Sequence, residues 1–367
     1  MSKNIWIIGH WCSCNMGDRC QPYAIIYPIL KNRNDNRDQY APIQSLYFVN
    51  LYNSEDKSGM TVQIRNITHK IYGPYDDIPV ADLAIMTTGS MYGDSKYVTW
   101  TKNLMETKRI KKLIIWGGFS LGNMPFNSFS KALSFLHDPN ITYYARSHKD
   151  LEIYHKIVGN DKLGRLAGDP MCFWTYYNDP DYGYSFETLQ GDIYGCLKPA
   201  PLSGNVVVPS TYAFDYNMSF WLNACDKADY VVCIDSSFDE NIVRKYANKA
   251  IMLREPWKFT DAIKNARHVI SGRLHSAVIT ACMNIPTTMI ITDDAEPGEK
   301  SFKFDAVGNT AVGEPNGCIC RVIKASYANI DIDNCFKKLP ILKTSNAKKY
   351  NDLTKESIDL IYGLIRA

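Results

Sequence analysis

The stretch "HVISGRLHSAVITACMNIPTTMIIT" spans residues 268 to 292. An apolar strand at Val269–Ser271 enters a short polar knot, a helix is expected over 273–283, and a second apolar strand follows at Thr287–Thr292. Short apolar runs on either side of one helix describe buried parallel strands joined by a crossover. Ser271, Gly272, Arg273 and His275 stand where the first strand gives way to the helix. A helix N-terminus exposes N–H groups and about half a positive charge, so a guanidinium and an imidazole placed there make the position suited to an anion.

Outward from that stretch the same alternation recurs. On its N-terminal side, strands are expected at Asn205–Pro209, Tyr230–Asp235 and Ala250–Leu253, with helices near 216–226, 238–248 and 258–266 between them. Earlier still, strands are expected at Ile5–Gly9, Leu46–Leu51, Asp82–Thr88, Lys112–Trp116, Ile141–Ala145 and Arg165–Ala167, interleaved with helices near 21–31, 95–108, 127–137 and 147–158. Residues 174–200, rich in Tyr, Asp, Pro and Gly, interrupt the pattern. The expectation is an α/β chain of two doubly wound, Rossmann-like domains facing across a cleft. The first covers 1–185 and the second 186–330, while 331–367 is a tail, irregular over 321–350, with a closing helix at about 352–365. Gly-rich turns at "GHWCSCNMGD", "TTGSMYGD" and "WGGFSLGN" and the "SGRLHS" knot put the expected active site between the domains.

Composition excludes several classes. The 367 residues carry a formal charge of +3, and the densest basic run, Lys108–Lys112, reads as a solvated helix end, so no nucleic-acid partner is expected. No window approaches the roughly 18 apolar residues of a membrane span, and the first residues enter a strand with no leader pattern, so a cytoplasmic protein is expected. The 11 cysteines are odd in number and irregular in spacing. Cys225, Cys233 and Cys282 lie in apolar patterns and read as core residues, while the cluster Cys12, Cys14 and Cys20 fits no common zinc spacing, so no metal is expected.

The motifs, taken in order, resemble the polysaccharide pyruvyl transferase family. "GHWCSCNMGD" looks like its N-terminal turn, with Asn15, Gly17 and Asp18; "TTGSMYGD" and "IIWGGFSLG" stand where it has glycine-rich segments; "YARSHKDLEIY" supplies Arg146 and Ser147; "AGDPMCFW" supplies Asp169 and Pro170; and "SGRLHS" is similar to its Ser-x-Arg-x-His helix start. The resemblance runs from about residue 5 to about 305. It implies a fold like that of the GT-B glycosyltransferases and a reaction that takes pyruvate from phosphoenolpyruvate, as co-substrate and with no cofactor, to a ketal across two hydroxyls of a sugar or glycan. The chemistry of such a reaction, read from the residues themselves, makes His275 and Asp18 the expected catalytic groups, since phosphoenolpyruvate needs fixed cations and N–H donors and the ketal steps need a proton carrier. Donor contacts fall to Arg273, Arg146, Ser271, Gly272 and Lys300, and acceptor contacts to Asn15, Gly89, Ser90 and Trp174. The glycine-rich segment keeps only Gly89 and Gly93, and the N-terminal turn carries cysteines, so the acceptor side departs most from the family pattern.

Each assignment has a structural alternative. His275 and Arg273 would project about 200° apart on an ideal helix, so both face one ligand only if Arg273 sits at the cap. His275 otherwise caps or packs, and Arg273 otherwise needs a buried carboxylate partner. Arg146 and Asp169 make a ready structural pair, and Asp18 suits a helix cap. His10, His148 and His155 read as surface or satisfied residues, Lys300 and Lys303 as solvated loop lysines. The aromatics Trp174, Tyr176, Tyr177, Tyr182 and Tyr184 suit either sugar stacking or an apolar plug. The competing functions are a GT-B glycosyltransferase using a nucleotide sugar, or a catalytically silent glycan-binding member of the same fold.

Overall fold

The computed structural model of the chain describes residues 3–11, 13, 15–35, 43–50, 61–64, 67–73, 75–93, 95–121, 124–172, 201–210, 214–235, 239–253, 256–283, 285–291, 320–324, 330–337 and 345–366. The first sheet is built from β1 (Lys3–Gly9), β2 (Ile43–Asn50), β3 (Thr61–Ile64), β4 (Ile67–Tyr72), β5 (Leu83–Tyr92), β6 (Leu113–Ser120), β7 (Ile141–Ala145) and β8 (Arg165–Leu166). Its order is β3-β4-β2-β1-β5-β6-β7-β8, parallel throughout except that β3 runs antiparallel to β4. The connecting helices are α1 (Met16–Asp35), α2 (Lys96–Glu106), α3 (Phe126–Ala132) and α4 (His148–Val158).

Central strands are buried on both faces, which is why "IWIIG" and "LIIWGGFS" are near-continuous apolar runs rather than alternating ones. Two corrections arise here. The glycine-rich segments at 87–92 and 117–120, expected as turns, continue β5 and β6, with a register shift between Thr87 and Ser90. Gly117 and Gly118 allow this: a Cβ at the first would press on the Thr88 carbonyl, and at the second on the Arg146 guanidinium. The helix expected at 127–137 breaks into α3 and a 3-10 turn at Ser134–His137. The pair β3–β4 was not foreseen, because its short runs carry Gln63, His69 and Lys70 among the apolar residues.

The second sheet is β9 (Asn205–Val208), β10 (Tyr230–Cys233), β11 (Ala250–Met252), β12 (His268–Ser271), β13 (Thr287–Ile291) and β14 (Cys320–Lys324), in the order β11-β10-β9-β12-β13-β14 and all parallel. Its helices are α5 (Phe214–Lys227), α6 (Glu240–Lys245), α7 (Pro256–Ile263) and α8 (Leu274–Cys282). The tail is more regular than expected. β14 pairs with β13 over five residues, and the short helix Ile332–Cys335 buries both of its end residues in the second core. With Arg321 and Lys324 in five residues, β14 reads as loop from composition; the open edge of β13 is what makes it a strand.

The boundary expected at 185/186 lies outside the described residues. The first sheet's strands end at Leu166 and the second's begin at Asn205. Each sheet has an apolar layer on each face. Two elements tie the halves together. Met16 and Cys20 of α1 lie in the second half's core beside Met171. The C-terminal helix Ser345–Arg366, seven residues longer at its start than expected from about 352, sends Ile358, Ile361, Tyr362 and Ile365 onto Ile5, Ile7 and Trp11 of the first. Among the described residues no helix is long and apolar enough to cross a membrane.

Candidate active site

The site forms where the carboxyl end of β1 meets the start of α8. After β1 the chain turns through His10 and Ser13 into α1. The Asn15 side-chain oxygen accepts the Gly17 N–H at 2.8 Å, and the Ser13 hydroxyl accepts the Asn15 N–H at 3.0 Å, so donors at the helix start are satisfied locally. Asp18, in the first turn, receives the Ser13 hydroxyl at 3.5 Å and lies beside Gly89 of β5, where a Cβ would be 3.8 Å from its Oδ1. This turn also reaches the second half: the Met16 N–H donates to the Ile234 carbonyl at 2.8 Å, and Asn15 Nδ2 to Asp235 Oδ2 at 3.2 Å.

On the other side, β12 ends in Ser271. Its hydroxyl accepts the Arg273 N–H at 3.0 Å and lies 2.6 Å from the Ser276 hydroxyl, which donates to the Arg273 carbonyl at 3.0 Å. Gly272 is required because a Cβ there would run into Trp221 and Ser210. Arg273 is the cap residue, with φ −113° and ψ 129°, so it escapes the ideal-helix projection that would turn it away from His275. Its charge nevertheless is directed inward. At 4% exposure, Nη2 donates to Asp239 Oδ1 at 3.2 Å, Nη1 is 3.6 Å from Asp235 Oδ2, and Nε donates to the Pro209 carbonyl at 3.2 Å. Asp239 in turn accepts the Ile234 and Asp235 N–H groups at 3.0 Å each. The buried-carboxylate arrangement, named from sequence as the alternative to a donor clamp, is the one observed for Arg273.

His275 is placed differently. Its ring lies on Gly17 of α1, where any Cβ would overlap it. Nε2 is 3.0 Å from Gln21 Nε2 and 3.9 Å from Asp169 Oδ2, and the side chain keeps 13% of its exposure. Asp169, wholly buried, accepts the Met171 N–H at 2.9 Å and stands 3.6 Å from Arg146 Nη1. Arg146 itself is 1% exposed, packed on Gly118. His10, expected at the surface or satisfied, is 5% exposed and set edge-on to Tyr97 at 5.4 Å. Burial lowers its pKa from the usual histidine value; the Asp18 charge opposes this and His275 adds to it, so the three groups share one electrostatic neighbourhood.

Of the residues picked out from sequence, the fold brings Asn15, Asp18, Gly89, Arg146, Ser271, Gly272, Arg273 and His275 to this junction. The Ser90 side chain, Trp174, Lys300, Cys12 and Cys14 lie outside the described residues. Cys20 packs in the second core, and among the described residues no group of His, Cys, Asp and Glu is arranged to hold a metal. Gln21, Asp235 and Asp239 were not singled out and His10 was set aside. Gln21 stands four residues after Gly17, on the same face of α1, but only the arrival of His275 there gives that spacing a meaning.

Residues 10–294 match the family model described as polysaccharide pyruvyl transferase. The chain belongs to that family. No curated relative matches the chain by sequence. Among solved structures it is similar to UDP-N-acetylglucosamine 2-epimerase from Rickettsia bellii, with a TM-score of 0.56 at 8% identity over 100% of this chain and 97% of that one. A putative UDP-N-acetylglucosamine 2-epimerase from Listeria monocytogenes gives 0.54 at 10% identity over 98% and 96%. Anabaena Alr3699/HepE in complex with UDP and glucose gives 0.51 at 9% identity over 98% and 100%. At such identities the likeness concerns architecture: this member of the family has a GT-B-like fold of two α/β sheets, parallel but for β3.

Proposed function

We propose that the chain transfers a pyruvyl group from phosphoenolpyruvate to two hydroxyls of a sugar or glycan, releasing phosphate and forming a pyruvate ketal, with no cofactor. The observation that carries this reading is the position of His275 within the family-matched span. A partly exposed imidazole stands at the junction, held from the first half by Gly17 and Gln21, with Asp169, Asp18 and His10 nearby.

The reaction demands such a group. Protonation of the enol methylene makes C2 electrophilic, one hydroxyl attacks as phosphate leaves, and the second hydroxyl closes the ketal, each hydroxyl surrendering a proton. An imidazole titrates near neutral pH and serves both directions of transfer. His275 is therefore assigned the proton exchange and Asp18, with Ser13 beside it, the acceptor hydroxyl; Asn15, Gly89, Ser90 and Trp174 are assigned to the acceptor. The donor carboxylate and phosphate are assigned to the Ser271–Gly272 turn and the N-terminus of α8, with Arg146 and Lys300. Arg273, its guanidinium engaged by two aspartates, is assigned to shaping that turn instead. The same pairing bears on nucleotide-sugar transfer: Asp235 and Asp239 stand ahead of α8, yet both are engaged by Arg273 and are poorly placed to take a ribose.

The test is incubation with phosphoenolpyruvate and a panel of sugars, followed by assay of inorganic phosphate. Release that depends on acceptor is expected. Release of nucleotide from a UDP-sugar, with none of phosphate from phosphoenolpyruvate, overturns the proposal in favour of glycosyl transfer, and neither release indicates a binding protein.

A further inference from the structure

Gln21 projects from α1 into the second half and is 1% exposed. Its Nε2 is 3.0 Å from His275 Nε2, while its Oε1 is buried with no partner among the described residues. A primary amide has two donors on one branch and an acceptor on the other, joined by a terminal torsion that turns readily. Placed against a ring nitrogen, it can meet either protonation state: the NH2 donates to the lone pair of a neutral ring, and after a half-turn the carbonyl accepts from a protonated one. A carboxylate at the same point would favour only imidazolium, and a hydrocarbon would favour neither.

We propose that Gln21 is the positioning residue for His275: its amide holds Nε2 in both protonation states by turning end for end as the proton arrives and leaves. The assignment of His275 to proton exchange rests on the function proposed above; the pairing itself rests on geometry alone. The other groups facing the ring are Asp169, 3.9 Å from Nε2 on the segment after β8; Arg146, paired with Asp169 from behind; His10, beyond the end of β1, with Asp18 near it; and Arg273 at the cap of its own helix. Asp169 favours the protonated ring, while Arg146 and Arg273 oppose it, each with aspartate close by. Against that divided field, a neutral partner biases the ring toward neither form, whereas a carboxylate there would bias it toward imidazolium.

The test uses the full chain with 15N-labelled histidine, reading the titration midpoint of His275 by NMR, alongside the pH profile of kcat with phosphoenolpyruvate and an acceptor. In Gln21→Glu an adjacent carboxylate should raise the midpoint by about 1–2 pH units. In Gln21→Met, which keeps the volume, loss of the accepting carbonyl should lower the midpoint, because a desolvated imidazolium loses more than a neutral ring. The corresponding limb of the kcat profile should move with each midpoint, and kcat in Gln21→Met should fall about 10-fold or more. Because a carboxylate beside the ring raises the midpoint whatever the native role of Gln21, the fall in Gln21→Met is the diagnostic result, and an unchanged or raised midpoint there overturns the proposal. If Gln21→Glu does not fold, an unchanged midpoint in Gln21→Met suffices to overturn it. Absence of phosphate release from every form, wild type included, refutes the function and leaves the midpoints to decide the role of Gln21.

Discussion

Arg146 and Arg273 are both buried arginines at the junction, one from each half, and both face aspartate; they differ in what else those aspartates face. Arg273 meets Asp239 at 3.2 Å and Asp235 at 3.6 Å, and those carboxylates are themselves fixed, Asp239 by two backbone N–H groups and Asp235 by Asn15. Arg146 lies 3.6 Å from Asp169, whose same oxygen faces His275. One cluster is closed around itself and holds the two halves in register. The other opens onto a titratable ring, so its charge is felt where chemistry would occur. A buried ion pair is weak evidence of net stabilisation, yet breaking one leaves a charge without compensation, and this is what separates the two sites experimentally.

Arg273→Ala should give the largest effect. With Asp235 and Asp239 left buried together, stability to urea is expected to fall by about 3–5 kcal/mol. Adding Asp239→Asn should recover part of that loss by removing one stranded charge. A stability loss under about 1 kcal/mol, as at an ordinary surface site, would break the description of this cluster as the structural one.

His275→Gln should show the reverse. Stability is expected to change little, while kcat falls by roughly two to four orders of magnitude, the usual size of a general acid–base contribution. Donor binding, measured by calorimetry, should persist. Loss of stability with a retained rate per folded molecule would make His275 structural and leave Asp18 to handle the proton.

Gly17→Ala comes next. The new Cβ would overlap the His275 side chain, whose ring atoms and Cβ are its three nearest neighbours. The ring must move off Gln21, so kcat should fall by about 10- to 100-fold, in line with misplacement of a catalytic group by about 1 Å. Asp18 and the acceptor side remain in place, so KM for the sugar is expected to hold. A rate equal to wild type would show that His275 does not need its present seat.

These contrasts also mark what the sequence disclosed. The strand–knot–helix of 268–292 was legible because an apolar run, a cap and a helix period agree over consecutive residues, and the strands of both sheets other than β3, β4 and β14 followed from repeats of that pattern. Arg146 and Asp169 could be named as a pair because few residue types neutralise a buried guanidinium. That Arg273 pairs with Asp235 and Asp239 was not legible, since those partners come from the end of β10 and the turn into α6, more than thirty residues away, and no local period links them. Gln21 was missed for a related reason: an amide on a helix face carries no chemical signal until another element brings an imidazole to it. β14 needed the edge of β13 before its mixed composition meant anything.

His10 supplies the smallest effect and tests which cluster the junction's electrostatics belong to. Burial lowers its pKa below the histidine value of 6.5, and the His275 charge lowers it further against the pull of Asp18. The unfolded chain binds a proton at His10 as pH falls through about 6.5, whereas the folded chain resists until lower pH, so protons favour unfolding. The stability this contributes is complete above pH 6.5 and is lost as pH falls from there through the folded pKa. His10→Asn should flatten that part of the curve, measured as the difference in urea stability between wild type and variant from pH 8 to pH 5. In Asp18→Asn the opposing carboxylate is gone, so the loss on acidification attributable to His10 should become larger. Were Asp18→Asn instead to leave that difference unchanged, His10 would not share the field of Asp18 and His275, and the responsive side of the junction would reduce to Arg146, Asp169, Gln21 and His275.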